Sequence, residues 1–244
     1  MRQAGIIGSG NIGSAVAQRL VATGWEVLMA NKRGPGSLTD HAAALGATPA
    51  TLEQAALARD LILLAIPQYA VADLPAGLFA ETPADALILD AGNYYPGVRD
   101  GQIAAIDEGL TDSAWVARSI GRPVVKMFNT IHAARIATSH RPAGAPDRIC
   151  LPIAADEEEA RARAIQLADA LGFDAIDAGA LADSWAQQPG TPVYCKHLPI
   201  GPTREALAEA RRMKDVAHRE EAVARARNWQ REGSDVGQWR PDPG

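Results

Sequence analysis

The chain has 244 residues, of which 47% are hydrophobic, with a net charge of −5 and two cysteines. This length allows one α/β domain or a dinucleotide-binding domain with a small appendage. The charge argues against nucleic acid as a partner, and no apolar stretch approaches the roughly 20 residues that span a bilayer, so we expect no membrane partner. The N-terminus enters an apolar run at once and leaves no room for a signal peptide, which predicts a cytoplasmic protein with reduced thiols.

The first 33 residues predict a strand, a turn, a helix and a second strand. A short apolar run ends at a Gly-x-Gly-x-x-Gly sequence, a helical pattern continues to Gly24, and another apolar run begins at Trp25. In this context the glycines indicate a dinucleotide site: the first allows a sharp turn, the second lets a diphosphate approach the backbone, and the third lets the helix pack closely. A tight turn without a ligand is the alternative. The residues expected to hold the cofactor here are Gly8, Ser9, Gly10, Asn11, Ile12 and Gly13.

The end of the second strand discriminates between the two nicotinamide cofactors. An NAD site usually carries Asp or Glu about 20 residues after the glycines, to bind the ribose 2′-hydroxyl. Here the chain reads Asn31-Lys32-Arg33, without a carboxylate. Arg and Lys attract a 2′-phosphate, which a carboxylate would repel. We therefore expect NADP(H), although two basic residues could also belong to a solvated loop.

Strands and helices alternate along the rest of the chain, which predicts a parallel sheet with right-handed crossovers. Predicted strands cover residues 60–66, 86–90, 124–128, 148–153 and 173–177. One predicted helix is capped by Ser37 and ends at residue 45, and another begins after Asp156 and covers residues 157–171. The other predicted helices cover residues 52–58, 71–79 (interrupted at Pro75), 101–109, 131–138 and 203–231.

The fold class that follows is α/β: a Rossmann-like, doubly wound parallel sheet with a smaller C-terminal α/β subdomain and a long C-terminal helix. The Pro- and Gly-rich stretch 141–146 is the candidate boundary. We expect an NADP-binding domain over residues 1–140, an acceptor and dimerisation subdomain over 147–232, and a tail over 233–244.

Ligands of such sheets lie beyond the carboxyl ends of the strands. This places two further segments at the cofactor mouth, residues 66–68 and residues 90–93. From them we expect contacts by Ile66, Pro67, Gln68 and Asn93. Asp90 either caps its strand end or takes part in the site, and the sequence leaves both open.

The side chains offer no evident catalytic machinery. No Ser/His/Asp spacing predicts a triad, no His/Cys/carboxylate cluster has metal spacing, and no lysine fits an acid/base pattern. Cys150 and Cys195 are interpreted as packing residues. His132, on a strand-to-helix turn, is either a site residue or a solvated, capping histidine. Hydride transfer between ring carbons needs little beyond stacking of donor and acceptor, so we assign no catalytic residue and favour a redox cofactor as the acceptor.

Six stretches carry a resemblance to a known family: residues 5–15, 30–35, 65–67, 89–93, 125–130 and 188–192. Together they resemble the NADPH:coenzyme F420 oxidoreductase (deazaflavin reductase-like) family, over about residues 3–195. The resemblance implies NADP(H) along the glycine turn, with Asn31, Lys32 and Arg33 around its 2′-phosphate and Ile66, Pro67 and Asn129 near the nicotinamide. The acceptor, coenzyme F420 or a flavin, would stack against the C-terminal part, for which the candidate residues are His132, Thr191 and Pro192.

The resemblance further implies a homodimer formed through the C-terminal part. Two departures from the family pattern stand out. Lys32 occupies a phosphate-binding position where many relatives have Ser or Thr, and the chain continues beyond the usual end after Thr203. Two alternatives remain open: a reductase of another small acceptor, such as an imine, an enone or a quinone, and a non-catalytic redox sensor that binds NADP(H).

Overall fold

Residues 2–212, described by a computed structural model, form an eight-stranded sheet in the order β3-β2-β1-β4-β5-β6-β7-β8. The strands are β1 (Gln3–Ile7), β2 (Glu26–Ala30), β3 (Thr48–Pro49), β4 (Leu61–Leu64), β5 (Leu87–Asp90), β6 (Val125–Lys126), β7 (Cys150–Ala154) and β8 (Asp174–Gly179). The predicted tail, and the predicted C-terminal helix beyond Arg212, lie outside the described residues.

Within these residues the α-helices are α1 (Asn11–Ala22), α2 (Thr39–Leu45), α3 (Leu52–Ala56), α4 (Ala104–Asp107), α5 (Asp112–Ile120), α6 (Ala133–Thr138), α7 (Glu158–Ala170) and α8 (Ile200–Arg212). Short 3₁₀ helices cover Pro35–Ser37, Gln68–Val71 and Leu181–Gln187.

Both faces of the sheet are covered, because the central strands are apolar on both sides. In β4, Leu61 and Leu63 belong to the core that includes residues of α1, α6 and α7. Ile62 and Leu64, which alternate with them, belong to the core that includes residues of α3 and α5. Burial of each such side chain contributes roughly 1.5–3 kcal/mol. This two-sided burial is typical of a doubly wound parallel sheet and confirms the predicted fold class.

The carboxyl ends of the parallel strands meet at one edge. Ile7, at the end of β1, is aligned with Ala30 of β2 on one side and with Leu64 of β4 on the other. The order of the strands therefore reverses beside β1. At such a switch point two loops diverge and leave a crevice, where open α/β sheets bind their ligands.

The C-terminal strands extend this same sheet. β7 pairs antiparallel to β6 through Lys126 and Ala154, and β8 continues parallel to β7. A separate small core, including Ala178, Val193 and Leu207, lies between β8 and α8. The division of the chain between residues 140 and 147 stays a prediction.

Three local predictions are wrong. Residues 72–79 form turns instead of a helix, since Pro75 lacks an N–H group and disfavours the helical conformation of Leu74. Ser37 does not cap α2; its hydroxyl donates to Asn31 Oδ1 at 3.2 Å and to the Gly34 carbonyl at 2.8 Å. Asp156 does not cap α7 but accepts a hydrogen bond from the backbone N–H of Leu181 at 2.9 Å. Helix α5 was not predicted at all.

Candidate functional site

The glycine turn has the geometry that its spacing predicts. Gly8 leaves β1 with φ of 117°, and a β-carbon there would lie 2.3 Å from the carbonyl oxygen of Ala65. A β-carbon on Gly13 would lie 1.9 Å from the Gly8 carbonyl oxygen, so its absence lets α1 pack against the turn. Gly10 differs from both, because a β-carbon there would meet no atom within 4 Å. Packing within the described chain therefore gives no reason for a glycine at position 10.

The space beside Gly10 lies at the N-terminus of α1. Gly10 is the N-cap residue, no side chain of the described residues caps this helix, and its first turn contains no acidic residue. Free N–H groups and the positive end of the helix dipole make such a terminus a site for anions. The open space and the uncapped helix together fit a diphosphate.

Asn31 shapes the loop that follows β2. Its side-chain Nδ2 donates to Ser9 Oγ at 3.2 Å, and its Oδ1 accepts from the backbone N–H of Arg33 at 2.9 Å. Lys32 and Arg33 are exposed, and no ion pair among residues 2–212 involves either of them. Two uncommitted cations thus lie next to the glycine turn, and they fit a phosphate group.

The predicted contacts after β4 divide into two kinds. Ile66 and Pro67 are half-buried at the edge of the sheet, whereas Gln68 is fully buried. Gln68 Nε2 donates to the Asp112 carbonyl at 2.9 Å, and its Oε1 would lie 2.9 Å from a β-carbon on Gly92. Gln68 is thus packed against the scaffold behind the site.

Asp90 belongs to a buried cluster that the sequence did not reveal. Its two carboxylate oxygens accept from the backbone N–H of Gly92 at 2.9 Å and from Ser113 Oγ at 2.6 Å. The Lys126 ammonium, fully buried, donates to the Gly92 carbonyl at 3.1 Å and to Ser113 Oγ at 3.0 Å. We call Asp90, Gly92, Ser113 and Lys126 the lysine clamp. It fixes the end of β5 to the end of β6 and holds the loop that carries Asn93.

An amide cluster joins this loop to the C-terminal part. Asn93 and Asn129 exchange hydrogen bonds: Asn93 Nδ2 donates to the Asn129 carbonyl at 3.0 Å, and Asn129 Nδ2 donates to Asn93 Oδ1 at 3.1 Å. Gln187 Nε2 donates to Asn129 Oδ1 at 3.0 Å. The structure therefore brings together Asn93, predicted at the cofactor mouth, and Asn129, which the family resemblance places near the nicotinamide, and it adds Gln187.

Three glutamines, Gln68, Gln187 and the neighbouring Gln188, carry buried amide atoms without a hydrogen-bond partner among the described residues: Gln68 Oε1, Gln187 Oε1 and Gln188 Nε2. Buried polar atoms are nearly always paired in proteins, so each unpaired one needs an explanation. An ordered water, or the polar edge of a ligand, would supply the missing partners.

The three candidate acceptor residues have different environments. Thr191 is buried and its hydroxyl donates to the Gln188 carbonyl at 2.8 Å, while Pro192 is half-buried and His132 is exposed. The His132 backbone N–H donates to His197 Nε2 at 3.2 Å, and the two rings lie 4.6 Å apart. Burial, with the nearby charges of His132 and Arg135, lowers the pKa of His197 to about 4.

Backbone strain is concentrated in the same region. Phe128, Cys195 and His197 adopt positive φ angles of 67°, 55° and 54°, which non-glycine residues rarely do. The Cys195 backbone N–H donates to the Thr130 carbonyl at 3.0 Å, so the segment around Cys195 is bonded to the loop between β6 and α6. Such strained residues cluster at functional sites.

Tyr95 and Tyr194 form a hydroxyl–hydroxyl hydrogen bond that the sequence did not predict, since they lie 99 residues apart. Burial raises the pKa of Tyr95 to about 12 and raises that of Tyr194 well above its usual value. Burial also raises the pKa of Cys195 to about 11 and that of Cys150 to about 12. These four groups stay protonated at neutral pH, and both cysteines are free thiols.

The described residues contain no group of three His, Cys, Asp or Glu side chains that could hold a metal ion. None of the helices within residues 2–212 is long and apolar enough to cross a membrane.

Residues 3–94 match the protein family described as "NADP oxidoreductase coenzyme F420-dependent". The chain also matches 54 residues of the protein YjhV of Escherichia coli (strain K12) at 39% identity, which is 22% of this chain and 39% of that protein. The matched segment thus spans well under half of this curated relative.

Solved structures match over most of the chain. Hypothetical protein SMa0349 from Sinorhizobium meliloti is 30% identical, with 81% of this chain and 95% of that chain covered and a TM-score of 0.68. A "putative f420 dependent nadp-reductase" from Arthrobacter sp. FB24 is 21% identical, with 75% and 87% covered and a TM-score of 0.62, and it shares the fold. With the matched glycine turn and β2 end, these similarities show that the chain belongs to the family of coenzyme F420-dependent NADP oxidoreductases.

Proposed function

We propose that the protein is an NADPH-dependent oxidoreductase that passes a hydride to a stacked ring acceptor, with coenzyme F420 first and a flavin second. One observation supports the cofactor most strongly. The open space at Gly10 lies before the uncapped N-terminus of α1, next to a β2 end that carries Lys32 and Arg33 and no carboxylate. NADP(H) carries two anionic groups, the diphosphate and the 2′-phosphate. The N–H groups at the start of α1 suit the first, and Lys32 and Arg33 suit the second.

The residues at the edge of the sheet would divide the binding work. The backbone of residues 8–13 would hold the diphosphate, and Ser9, Lys32 and Arg33 the 2′-phosphate. Ile66 and Pro67 offer an apolar surface for the nicotinamide, and Asn93 and Asn129 offer amide groups beside it. When bound, NADPH supplies the hydride. The lysine clamp would keep the amide groups in place during the reaction.

The C-terminal part would provide the acceptor's surface. His132 lies in the loop between β6 and α6, and Thr191 and Pro192 lie shortly before Cys195 and His197 in the chain. His197 accepts from the His132 N–H and the Cys195 N–H donates to the Thr130 carbonyl, so the two segments are joined. The unpaired amide atoms of Gln187 and Gln188 suit an acceptor with polar edges. A deazaflavin or flavin ring combines such edges with a face that stacks, which is why we favour these acceptors over a quinone, an imine or an enone. Following the family resemblance, we also propose a homodimer formed through this part.

An anaerobic titration tests the function. The protein is mixed with NADPH, then with coenzyme F420 and, in a separate sample, with FMN, while the absorbance of each acceptor is recorded. We expect reduction of F420 at a rate proportional to the protein concentration. Tight NADPH binding without reduction of either acceptor would contradict the proposed acceptors and favour the redox-sensor alternative. Absence of NADPH binding would contradict the cofactor.

A further inference from the structure

His41, for which the sequence analysis predicts no role, lies next to the helix that follows the glycine turn. His41 Nε2 is 2.8 Å from Ser14 Oγ, so the imidazole of α2 reaches across to the first turns of α1. His41 is exposed and Ser14 is half-buried. Within residues 2–212 the His41 ring makes this one hydrogen bond, which leaves its other ring nitrogen, Nδ1, for another contact.

Hydrogen bonds connect this imidazole to the loop after β2. Ser14 Oγ lies 3.2 Å from the Ser9 carbonyl, and Ser9 Oγ accepts from Asn31 Nδ2 at 3.2 Å. Asn31 Oδ1 in turn accepts from the Arg33 backbone N–H at 2.9 Å. His41 therefore belongs to the same patch as Ser9 and Arg33, although helix α2 separates it from them in sequence.

The chain path leads to the same conclusion. Residues 31–38 connect β2 to α2, so Lys32 and Arg33 lie on the loop that enters the helix carrying His41. Since α2 follows β2, this patch is on the β2 side of α1. The nicotinamide candidates Asn93 and Asn129 follow β5 and β6, on the other side of β1 in the sheet. A ligand group near His41 would therefore belong to the adenosine half of the cofactor.

The Ser14 hydroxyl suits an imidazole that donates to an anion. Ser14 Oγ donates its one proton to the Ser9 carbonyl and therefore accepts from His41 Nε2–H, and a histidine protonated on both ring nitrogens also carries an N–H on Nδ1. That N–H can then donate to a phosphate oxygen. NAD(H) carries a hydroxyl at the ribose 2′ position, where NADP(H) carries a phosphate.

We propose that His41, oriented by Ser14, donates to the 2′-phosphate of NADP(H) alongside Lys32 and Arg33, and thereby contributes to selection against NAD(H). This inference rests on the proposed function. It makes α2 part of the cofactor site and names Ser14 as a positioning residue.

Isothermal titration calorimetry on the full-length chain tests the inference without turnover. The ligands are NADP⁺, NAD⁺, 2′,5′-ADP and 5′-AMP. For His41→Ala we expect the Kd of NADP⁺ and of 2′,5′-ADP to rise about fivefold, the loss of one charge-assisted hydrogen bond, and those of NAD⁺ and 5′-AMP to stay within about twofold. Ser14→Ala should change affinities in the same direction by less, and His41→Arg should retain the preference for NADP⁺.

Two further variants sharpen the interpretation. Gln18→Ala, at an exposed position one turn beyond Ser14 on α1, is the matched control and should leave all four affinities unchanged. Lys32→Ala with Arg33→Ala should weaken NADP⁺ binding at least tenfold, about 1.4 kcal/mol. Because His41 would contact the same phosphate, His41→Ala should change the Kd of NADP⁺ by a different factor in the Lys32→Ala, Arg33→Ala variant than in the wild type.

The possible failures are distinct. If the wild type prefers NADP⁺ and His41→Ala leaves that preference unchanged, the inference is wrong and the proposed function stands. An equal loss for NADP⁺ and NAD⁺ would also overturn it, by placing His41 at a part that both cofactors share. If the wild type binds none of the four ligands, the cofactor assignment itself fails, and the inference fails with it.

Discussion

Lys126 places a fully buried cation within the scaffold of the site. Its ammonium contacts Ser113 Oγ and the Gly92 carbonyl, and Ser113 in turn contacts Asp90. Removing a charged donor from such a cluster leaves buried acceptors unpaired, which costs more than the net value of a hydrogen bond. We interpret the lysine clamp as the reason that the loop with Asn93 holds one position.

We expect Lys126→Met to lower the free energy of unfolding by about 2 kcal/mol or more, because the Asp90 carboxylate would remain buried without a nearby cation. Urea denaturation measures this change. Asp90→Asn in the same chain should recover part of the loss, since it removes the unpaired charge. A double variant with the summed losses of the two single variants would contradict a coupled clamp.

His197 makes stability depend on pH in a direction that follows from its pKa. Folding lowers this pKa from 6.5 to about 4, so between these pH values the unfolded chain binds more protons than the folded one. The contribution of His197 is therefore present above pH 6.5 and is lost as the pH falls toward 4. His197→Gln, which can still accept the His132 N–H, removes this dependence.

The measurement is the difference in free energy of unfolding between wild type and His197→Gln at pH 7, 6 and 5. We expect this difference to move in favour of the variant as the pH falls. Comparing the two chains cancels the titration of the carboxylates that they share. A difference that stays constant across this range would show that His197 is not held neutral by the fold.

Residue-scale contacts were predictable only where they are local in sequence. The glycine turn and the Asn31-Lys32-Arg33 stretch were identified because their spacing carries the chemistry. The contact of Asn129 with Gln187 joins residues 58 apart, and that of Ser14 with His41 joins residues 27 apart. No local pattern encodes such pairs, since the packing of separate elements creates them. The burial of Lys126 was missed for the same reason.

At the scale of elements, the strand–turn–helix unit of β1 and α1 offers a matched pair of substitutions. A β-carbon on Gly13 would clash with the Gly8 carbonyl, whereas one on Gly10 would meet nothing within 4 Å. Gly13→Ala should therefore lower the free energy of unfolding by about 2 kcal/mol, through forced separation of α1 from the turn. Thermal melting of the ligand-free chain measures it.

Gly10→Ala should leave that stability nearly unchanged and weaken NADPH binding at least tenfold, about 1.4 kcal/mol, because the new methyl would occupy the space for the diphosphate. Equal destabilisation by both variants would mean that Gly10 has a packing role. An unchanged NADPH affinity in Gly10→Ala would show that the diphosphate does not occupy this space.

The elements themselves were mostly predictable, and the exceptions have physical causes. Strands β4 and β5 are continuous apolar runs bounded by polar or turn-forming residues, so their burial is legible in the sequence. Helix α5 was missed although it is nine residues long. Its buried residues include Asp112 and Ser113, which serve the neighbouring loops by accepting and donating hydrogen bonds and so interrupt the apolar periodicity.

At the scale of the whole molecule, the sheet joins the cofactor edge to the C-terminal part. β7, which belongs to the part of the chain after residue 140, pairs antiparallel with β6, the strand that carries Lys126. The sequence indicated a second, smaller α/β unit, but the direction of β7 depends on pairing between distant strands, which periodicity does not specify. This continuity places Gln187 beside Asn129. The homodimer stays a prediction.

The reaction proposed for this protein is a direct hydride transfer from NADPH to a ring acceptor. It is tested with NADPH deuterated at C4 on one face or on the other, with coenzyme F420 as acceptor under anaerobic conditions. Because a deazaflavin accepts hydride on carbon, transferred deuterium does not exchange with water. Mass spectrometry should find one deuterium in reduced F420 from one labelled face and none from the other. Reduced F420 without deuterium from either face would contradict direct transfer.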